Sequence, residues 1–175
     1  MRAAAAHDGG MSDLTIRPAV DDDAVWIATI YNQGIEDRVA TLETELRTAE
    51  ERRTWLATHG ERYLVLVAER DGHVIAWGSL NRFNPRAAYD HVADLSIYVT
   101  RAARGLGIGH VLLARLVDEA RAIGFHKIVL AAFPTNEAGM RLYRAMGFTT
   151  VGIYREQGVL DGRWVDVIVM ERLLG

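Results

Sequence analysis

The chain has 175 residues, 50% of them hydrophobic and none of them cysteine, which suits one domain with a single sizeable core and excludes disulfides, thiolate metal sites and a cysteine nucleophile. The 20 Lys and Arg residues are scattered among 23 Asp and Glu for a formal charge of −3, which argues against a nucleic-acid partner. No apolar run approaches the roughly 18–20 residues needed to span a bilayer, so the expectation is a cytoplasmic protein with no membrane partner.

Residues 1–12 lack the apolar stretch of a signal peptide and read as a disordered extension, leaving residues 13–175 as one domain. A short strand is expected over 14–17 and a helix over 22–33, with Asp21 as N-cap and Gly34 as stop. Residues 35–47 have no clean period and read as an irregular piece that shapes a pocket. Thr48 and Glu51 then form a capping box for a second helix ending before Gly60. The β-rich runs 63–70 and 73–83 flank Asp71-Gly72, a hairpin signal, and a further strand is expected over 92–100. An amphipathic helix starting near His110 carries the apolar stripe Val111, Leu112, Leu113, Leu116, Val117 and Ala120 and ends at Gly124. A buried strand over 127–133 completes a βαβ unit. A helix over 136–146, stopped by Gly147, precedes strands over 148–157 and 164–173 that flank Leu160-Asp161-Gly162. The order β-α-α-β-β-β-α-β-α-β-β predicts an α/β (α+β) layer with a mixed sheet.

The informative segment is Arg104-Gly105-Leu106-Gly107-Ile108-Gly109, between the strand containing Leu95-Ser96-Ile97-Tyr98-Val99 and the helix entered at His110. A strand turning through closely spaced glycines into a helix leaves backbone N–H groups unpaired at the positive end of the helix dipole, which suits a diphosphate. A dinucleotide fingerprint needs G-x-G-x-x-G near the first strand, whereas these glycines are spaced G-x-G-x-G in mid-chain. A nucleoside triphosphate loop needs Lys and Ser or Thr after its last glycine, where this chain has His110 and Val111.

Arg104-x-x-Gly107-x-Gly109 resembles the acetyl-CoA signature of the GNAT superfamily of N-acetyltransferases. Asn136-Glu137-Ala138-Gly139-Met140-Arg141-Leu142-Tyr143-Arg144-Ala145-Met146-Gly147-Phe148 resembles that superfamily's second block, in the right order and separation. The resemblance covers residues 14–173 and implies the GNAT fold, a twisted, mixed, mostly antiparallel sheet flanked by helices, with acetyl-CoA as cosubstrate. Ile30-Tyr31-Asn32-Gln33-Gly34-Ile35-Glu36, Arg86-Ala87-Ala88-Tyr89-Asp90 and Ser96-Ile97-Tyr98-Val99 resemble the branch that acetylates phosphinothricin, methionine sulfoximine, methionine sulfone and arsinothricin. That branch implies a detoxification or resistance enzyme acting on the α-amine of a small amino-acid analogue. Members of that branch are typically homodimers, so the resemblance also implies a homodimer.

The resemblance implies Asp94 as general base, directly or through a water, and Tyr143 as hydrogen-bond donor to the thioester sulfur. The backbones of Ile97, Tyr98 and Val99 are expected to pair with the pantetheine arm, and Asn136 to bond its amide or to cap the following helix. Gly105, Leu106, Gly107, Ile108, Gly109 and His110 are expected around the diphosphate, with Arg104 adding charge. Arg82 and Arg86 are candidate readers of the substrate's anionic groups, with Tyr89 closing the pocket. Leu42 occupies a position where the family has an aromatic residue. With no cysteine to carry an acetyl group, direct transfer in a ternary complex is expected. Isolated histidines give no metal-binding spacing, and no metal is expected. A peptide N-terminal acetyltransferase, which needs an open groove, and a non-catalytic acetyl-CoA sensor remain alternatives.

Overall fold

The computed structural model describes residues 13–175; the extension expected over residues 1–12 lies outside them. In chain order the elements are β1 (Thr15–Pro18), α1 (Ala24–Glu36), α2 (Ala49–Leu56), β2 (Val65–Arg70), β3 (His73–Arg82), β4 (Val92–Val99), α3 (Ile108–Ile123), β5 (Lys127–Ala132), α4 (Glu137–Ala145), β6 (Thr149–Leu160) and β7 (Arg163–Leu173). They form one seven-stranded sheet ordered β1-β2-β3-β4-β5-β7-β6. Neighbouring strands are antiparallel except for β4 and β5, which the crossover helix α3 makes parallel. Element order and sheet type agree with the sequence reading.

Strand alternation divides the core between the two faces. Val65 and Val67 of β2 join Trp77, Ile27 and Ile30 under α1 and α2, whereas Leu66 and Ala68 join Leu80, Leu95, Ile128 and the stripe of α3 on the opposite face. Leu112, Leu113 and Leu116 are fully buried there, each worth about 1.5–3 kcal/mol of transfer free energy. The hairpin turns expected at Asp71-Gly72 and Asp161-Gly162 have positive φ at both central residues, as a tight two-residue hairpin requires. The capping box of α2 is formed: Glu51 N–H donates to Thr48 Oγ1 at 3.1 Å, and Thr48 N–H donates to Glu51 Oε2 at 2.6 Å.

Several boundaries differ from expectation, β6 running on to Leu160 rather than ending at 157, and three at helix ends bear on the site. Asp21 lies inside a short 3-10 turn, and the N-terminal carboxylate of α1 is Asp23, buried, accepting Val20 N–H at 2.8 Å and paired with Arg17 at 2.7 Å. Gly34 does not stop α1. The helix runs on to Glu36, and the left-handed residue beyond it is Arg38 (φ 56°). Gly34 instead lets another element approach: a Cβ on it would stand 3.2 Å from the Tyr98 ring. Finally, α3 begins at Ile108 rather than His110, because the left-handed Gly107 (φ 81°) already serves as its N-cap.

Candidate active site

The sheet is incomplete at its centre. Strands β4 and β5 pair over only three positions, Val92 with Lys127, Ala93 with Ile128 and Asp94 with Val129. Beyond this fork β4 follows β3 as far as Val99, while β5 follows β7 through Ala132. Two adjoining cavities of about 300 and 50 Å³ open in the gap and share Ala40, Leu95, Ser96, Tyr98, Ala131 and Ala132 as walls. Asp94 and Tyr31 line the larger, Tyr143 and Asn136 the smaller.

Which β4 groups face the gap follows from alternation. His91 carbonyl accepts from His126 and Lys127 on the β5 side, and Thr100 N–H donates to Ile75 on the β3 side. Backbone groups of Ile97 and Val99 therefore point toward the gap, and those of Tyr98 toward β3. Of the three residues expected to pair with an extended ligand, Tyr98 contributes its side chain instead. Its ring stacks on Trp77 at 4.9 Å and meets Tyr31 edge-on at 5.0 Å.

At the end of β4 the chain turns into α3. Gly105 and Gly107 have φ of 76° and 81°, and a Cβ on either would meet no protein atom within 4 Å, so both backbones face open space. Among the described residues, no backbone carbonyl accepts the N–H of Gly105, Leu106, Gly107, Ile108 or Gly109. These free amides, at the positive end of a 16-residue helix, fit the diphosphate of coenzyme A. Side chains in the turn differ in kind. Ile108 is core, Leu106 and His110 are exposed, and Gly109 permits helix packing, since its Cβ would stand 3.2 Å from Leu142 of α4. Arg104 is engaged elsewhere than expected: it pairs with Asp37 at 2.6 Å and donates to Val99 carbonyl at 3.1 Å, bracing the turn against α1. Gln33 adds a second brace by accepting Arg101 N–H at 2.8 Å.

Asp94 stands at the fork. Burial pushes its pKa up to about 6, and one hydrogen bond pulls the other way, from Asn81 Nδ2 to Asp94 Oδ2 at 3.3 Å. Tyr143 is 8% exposed, and burial pushes its phenol up to about 12, so it remains a donor across the neutral range. Asn136 caps α4 by accepting Gly139 N–H at 3.0 Å while lining the smaller cavity.

The segment 37–47 does shape the pocket, with Ala40, Thr41 and Leu42 in its wall. Asn32 fastens it to α1, donating to Arg47 carbonyl at 2.9 Å and accepting Arg47 N–H at 2.8 Å. Leu42 also packs with Phe133, Leu160 and Val167, and fits where Gly158 has no side chain: a Cβ there would stand 2.7 Å from Leu42 Cδ2.

Arg82, Arg86 and Tyr89 are not brought to the cavity. On β3 it is Asn81 that lies opposite Asp94, and Arg82, the next residue along, projects to the other face. Arg82 donates to Pro85 carbonyl at 3.0 Å and lies 3.6 Å from Asp90. Arg86 and Tyr89 belong to an exposed 3-10 turn, with Tyr89 against Phe83. The guanidinium stacked on the cavity wall is that of Arg52, 4.1 Å from the Tyr31 ring, with its Nε buried and without a hydrogen-bond partner. Sequence reasoning missed Arg52, Tyr31, Asn81 and Ser96. Alternation along β4 from Asp94 and the antiparallel β3–β4 pairing would have found the last two.

Among the described residues, no group of three or more His, Cys, Asp or Glu could hold a metal ion, and no helix is long and apolar enough to cross a membrane. The sequence profile of the acetyltransferase (GNAT) family matches residues 27–148. The chain is 33% identical to a phosphinothricin N-acetyltransferase of Streptomyces coelicolor, over 94% of this chain and 99% of that protein. It is also 33% identical to an L-methionine sulfoximine/L-methionine sulfone acetyltransferase of Salmonella typhimurium, over 90% of this chain and 93% of that one. A solved GNAT superfamily phosphinothricin acetyltransferase from Sinorhizobium meliloti, in complex with AcCoA, superimposes with a TM-score of 0.88 at 34% identity, covering 93% of this chain and 89% of that chain.

Proposed function

The chain belongs to the acetyltransferase (GNAT) family, and as a member of it we propose that it acetylates the α-amine of a small amino-acid analogue, phosphinothricin, methionine sulfoximine, methionine sulfone or arsinothricin, as a cytoplasmic detoxification enzyme. The observation that carries this reading is the fork between β4 and β5, with a half-buried carboxylate at its closed end and unpaired amides at its open end.

Acetyl-CoA supplies the acetyl group as an activated thioester. The amides of Gly105 to Gly109 hold its diphosphate, and the gap-facing backbone of Ile97 pairs with its extended arm. Asp94 takes a proton from the substrate ammonium, leaving a neutral amine to attack the thioester carbonyl. Tyr143 donates a hydrogen bond to the departing sulfur. Arg82, Arg86 and Arg52 all lie outside the cavity lining, but the Arg52 guanidinium stacks 4.1 Å from the ring of the lining residue Tyr31, and it is our candidate to balance the substrate carboxylate. Arg52→Gln is therefore expected to raise KM for the amino acid about tenfold with little change in KM for acetyl-CoA. The partner we propose is a second copy of the chain. The exposed Val151, Ile153 and Val159 of the edge strand β6, with Trp164 of β7 65% exposed, support a homodimer interface on that side.

Release of free coenzyme A with a substrate panel tests the reading. The expected result is turnover with phosphinothricin or methionine sulfoximine. Turnover confined to peptides would favour an N-terminal acetyltransferase, which a cavity of about 300 Å³ does not suit, and acetyl-CoA binding without turnover would favour a sensor.

A further inference from the structure

Asp94 ends a hydrogen-bonded chain that crosses three elements. Asn81 Nδ2 lies 3.3 Å from both Asp94 Oδ2 and Ser96 Oγ, and Asn81 Oδ1 lies 3.0 Å from Nε2 of His59, just beyond α2. Nδ1 of His59 lies 3.0 Å from Trp55 carbonyl, and its other near neighbour, Thr58 Oγ1, already gives its own proton to that carbonyl.

Each link fixes the next. An ionised carboxylate only accepts, so Asp94 takes an N–H from Asn81 and turns the Asn81 oxygen toward His59. A carbonyl oxygen also only accepts, so Asn81 takes its hydrogen bond from an Nε2–H of His59. The other ionisable groups lining the two cavities or stacked on their wall are Tyr31, Tyr98, Tyr143 and Arg52, whose guanidinium lies over the Tyr31 and Trp55 rings; β5, β7 and the residue after β5 line them only with Ala131, Ala132, Phe133 and Val167.

We infer that Asn81 and His59 are positioning residues for the base, the Nε2–H of His59 locking the Asn81 amide in the orientation that donates to Asp94 and thereby keeping the carboxylate ionised and aimed. The inference rests on the acetyl-transfer reading above. In the base step one N–H bond of the substrate ammonium breaks and one O–H bond forms on Asp94. That proton later passes to solvent, and Ser96 Oγ gives the Asn81 amide an alternative acceptor while Asp94 is protonated.

The test is the pH dependence of kcat/KM for wild type, Asn81→Ala, His59→Ala, His59→Gln and Asp94→Asn. Asn81→Ala and His59→Ala are expected to move the acid limb upward by about 0.5–1 pH unit with KM for acetyl-CoA unchanged. His59→Gln, which still donates to Asn81 but from a less constrained side chain, is expected to fall between His59→Ala and wild type, and carries the test alone if the alanine variants do not fold. Limbs that superimpose on wild type, or a uniform loss of rate without a limb shift, would overturn the inference. It falls separately from the reading beneath it: Asp94→Asn at wild-type rate would remove the base itself, whereas Asp94→Asn inactive by about a hundredfold or more with unshifted limbs elsewhere would remove only the positioning role.

Discussion

As the proposed base, Asp94 would be a half-buried side chain that serves catalysis at the expense of stability. Burial lifts its pKa from 3.8 to about 6, so between those values the native state holds a proton that the unfolded chain has lost, and stability falls as pH rises through that window. Above it the cost is present in full, up to about 3 kcal/mol. Asp94→Asn is thus expected to lower turnover by about 10²–10³-fold and to raise the melting temperature by several degrees at pH 8, a gain that shrinks as pH falls from about 6 to about 4. For activity the sign is opposite: the base works only when ionised, so kcat/KM should fall about tenfold per unit below pH about 6. Tyr143, held protonated by burial, contributes no basic limb near neutrality. Tyr143→Phe should lower kcat about tenfold or more while calorimetric affinity for acetyl-CoA is unchanged.

At the scale of elements, helix α1 organises the site through successive residues. Tyr31 lines the cavity, Asn32 fastens the 37–47 segment, Gln33 holds the turn after β4, Gly34 admits the Tyr98 ring, Ile35 is core and Glu36 pairs with Arg101. Gly34→Leu, by forcing a side chain into that ring, should destabilise the protein by about 1–3 kcal/mol in urea denaturation. Elements and their order were legible because alternation, capping boxes and Asp-Gly turns are local signals: Thr48 with Glu51 and Asp71-Gly72 behave as read. Gly34 was misread because a helix stop and a close approach both select glycine, and only the position of Tyr98 distinguishes them. The β4–β5 fork was invisible for a related reason, since where two strands part depends on what each pairs with on its far side. Arg86 was chosen because it matches an Arg of the resembling branch and Arg82 because it lies four residues before it, whereas the register of β3 puts Asn81 in the place facing Asp94.

For the whole molecule, an apolar edge on β6 at one end of the sheet and a cavity at its middle make two claims. Sedimentation equilibrium should find a dimer that Trp164→Glu weakens, and a monomeric wild type would count against that interface. The central claim is that the free amides between β4 and α3 hold the diphosphate of the acetyl donor. Calorimetric titration of acetyl-CoA into wild type and Gly107→Val tests it most directly. One site per chain in the wild type, with at least tenfold weaker binding in a variant that keeps its native circular dichroism, is the result predicted. No heat of binding in the wild type, or undiminished affinity in the folded variant, would contradict it.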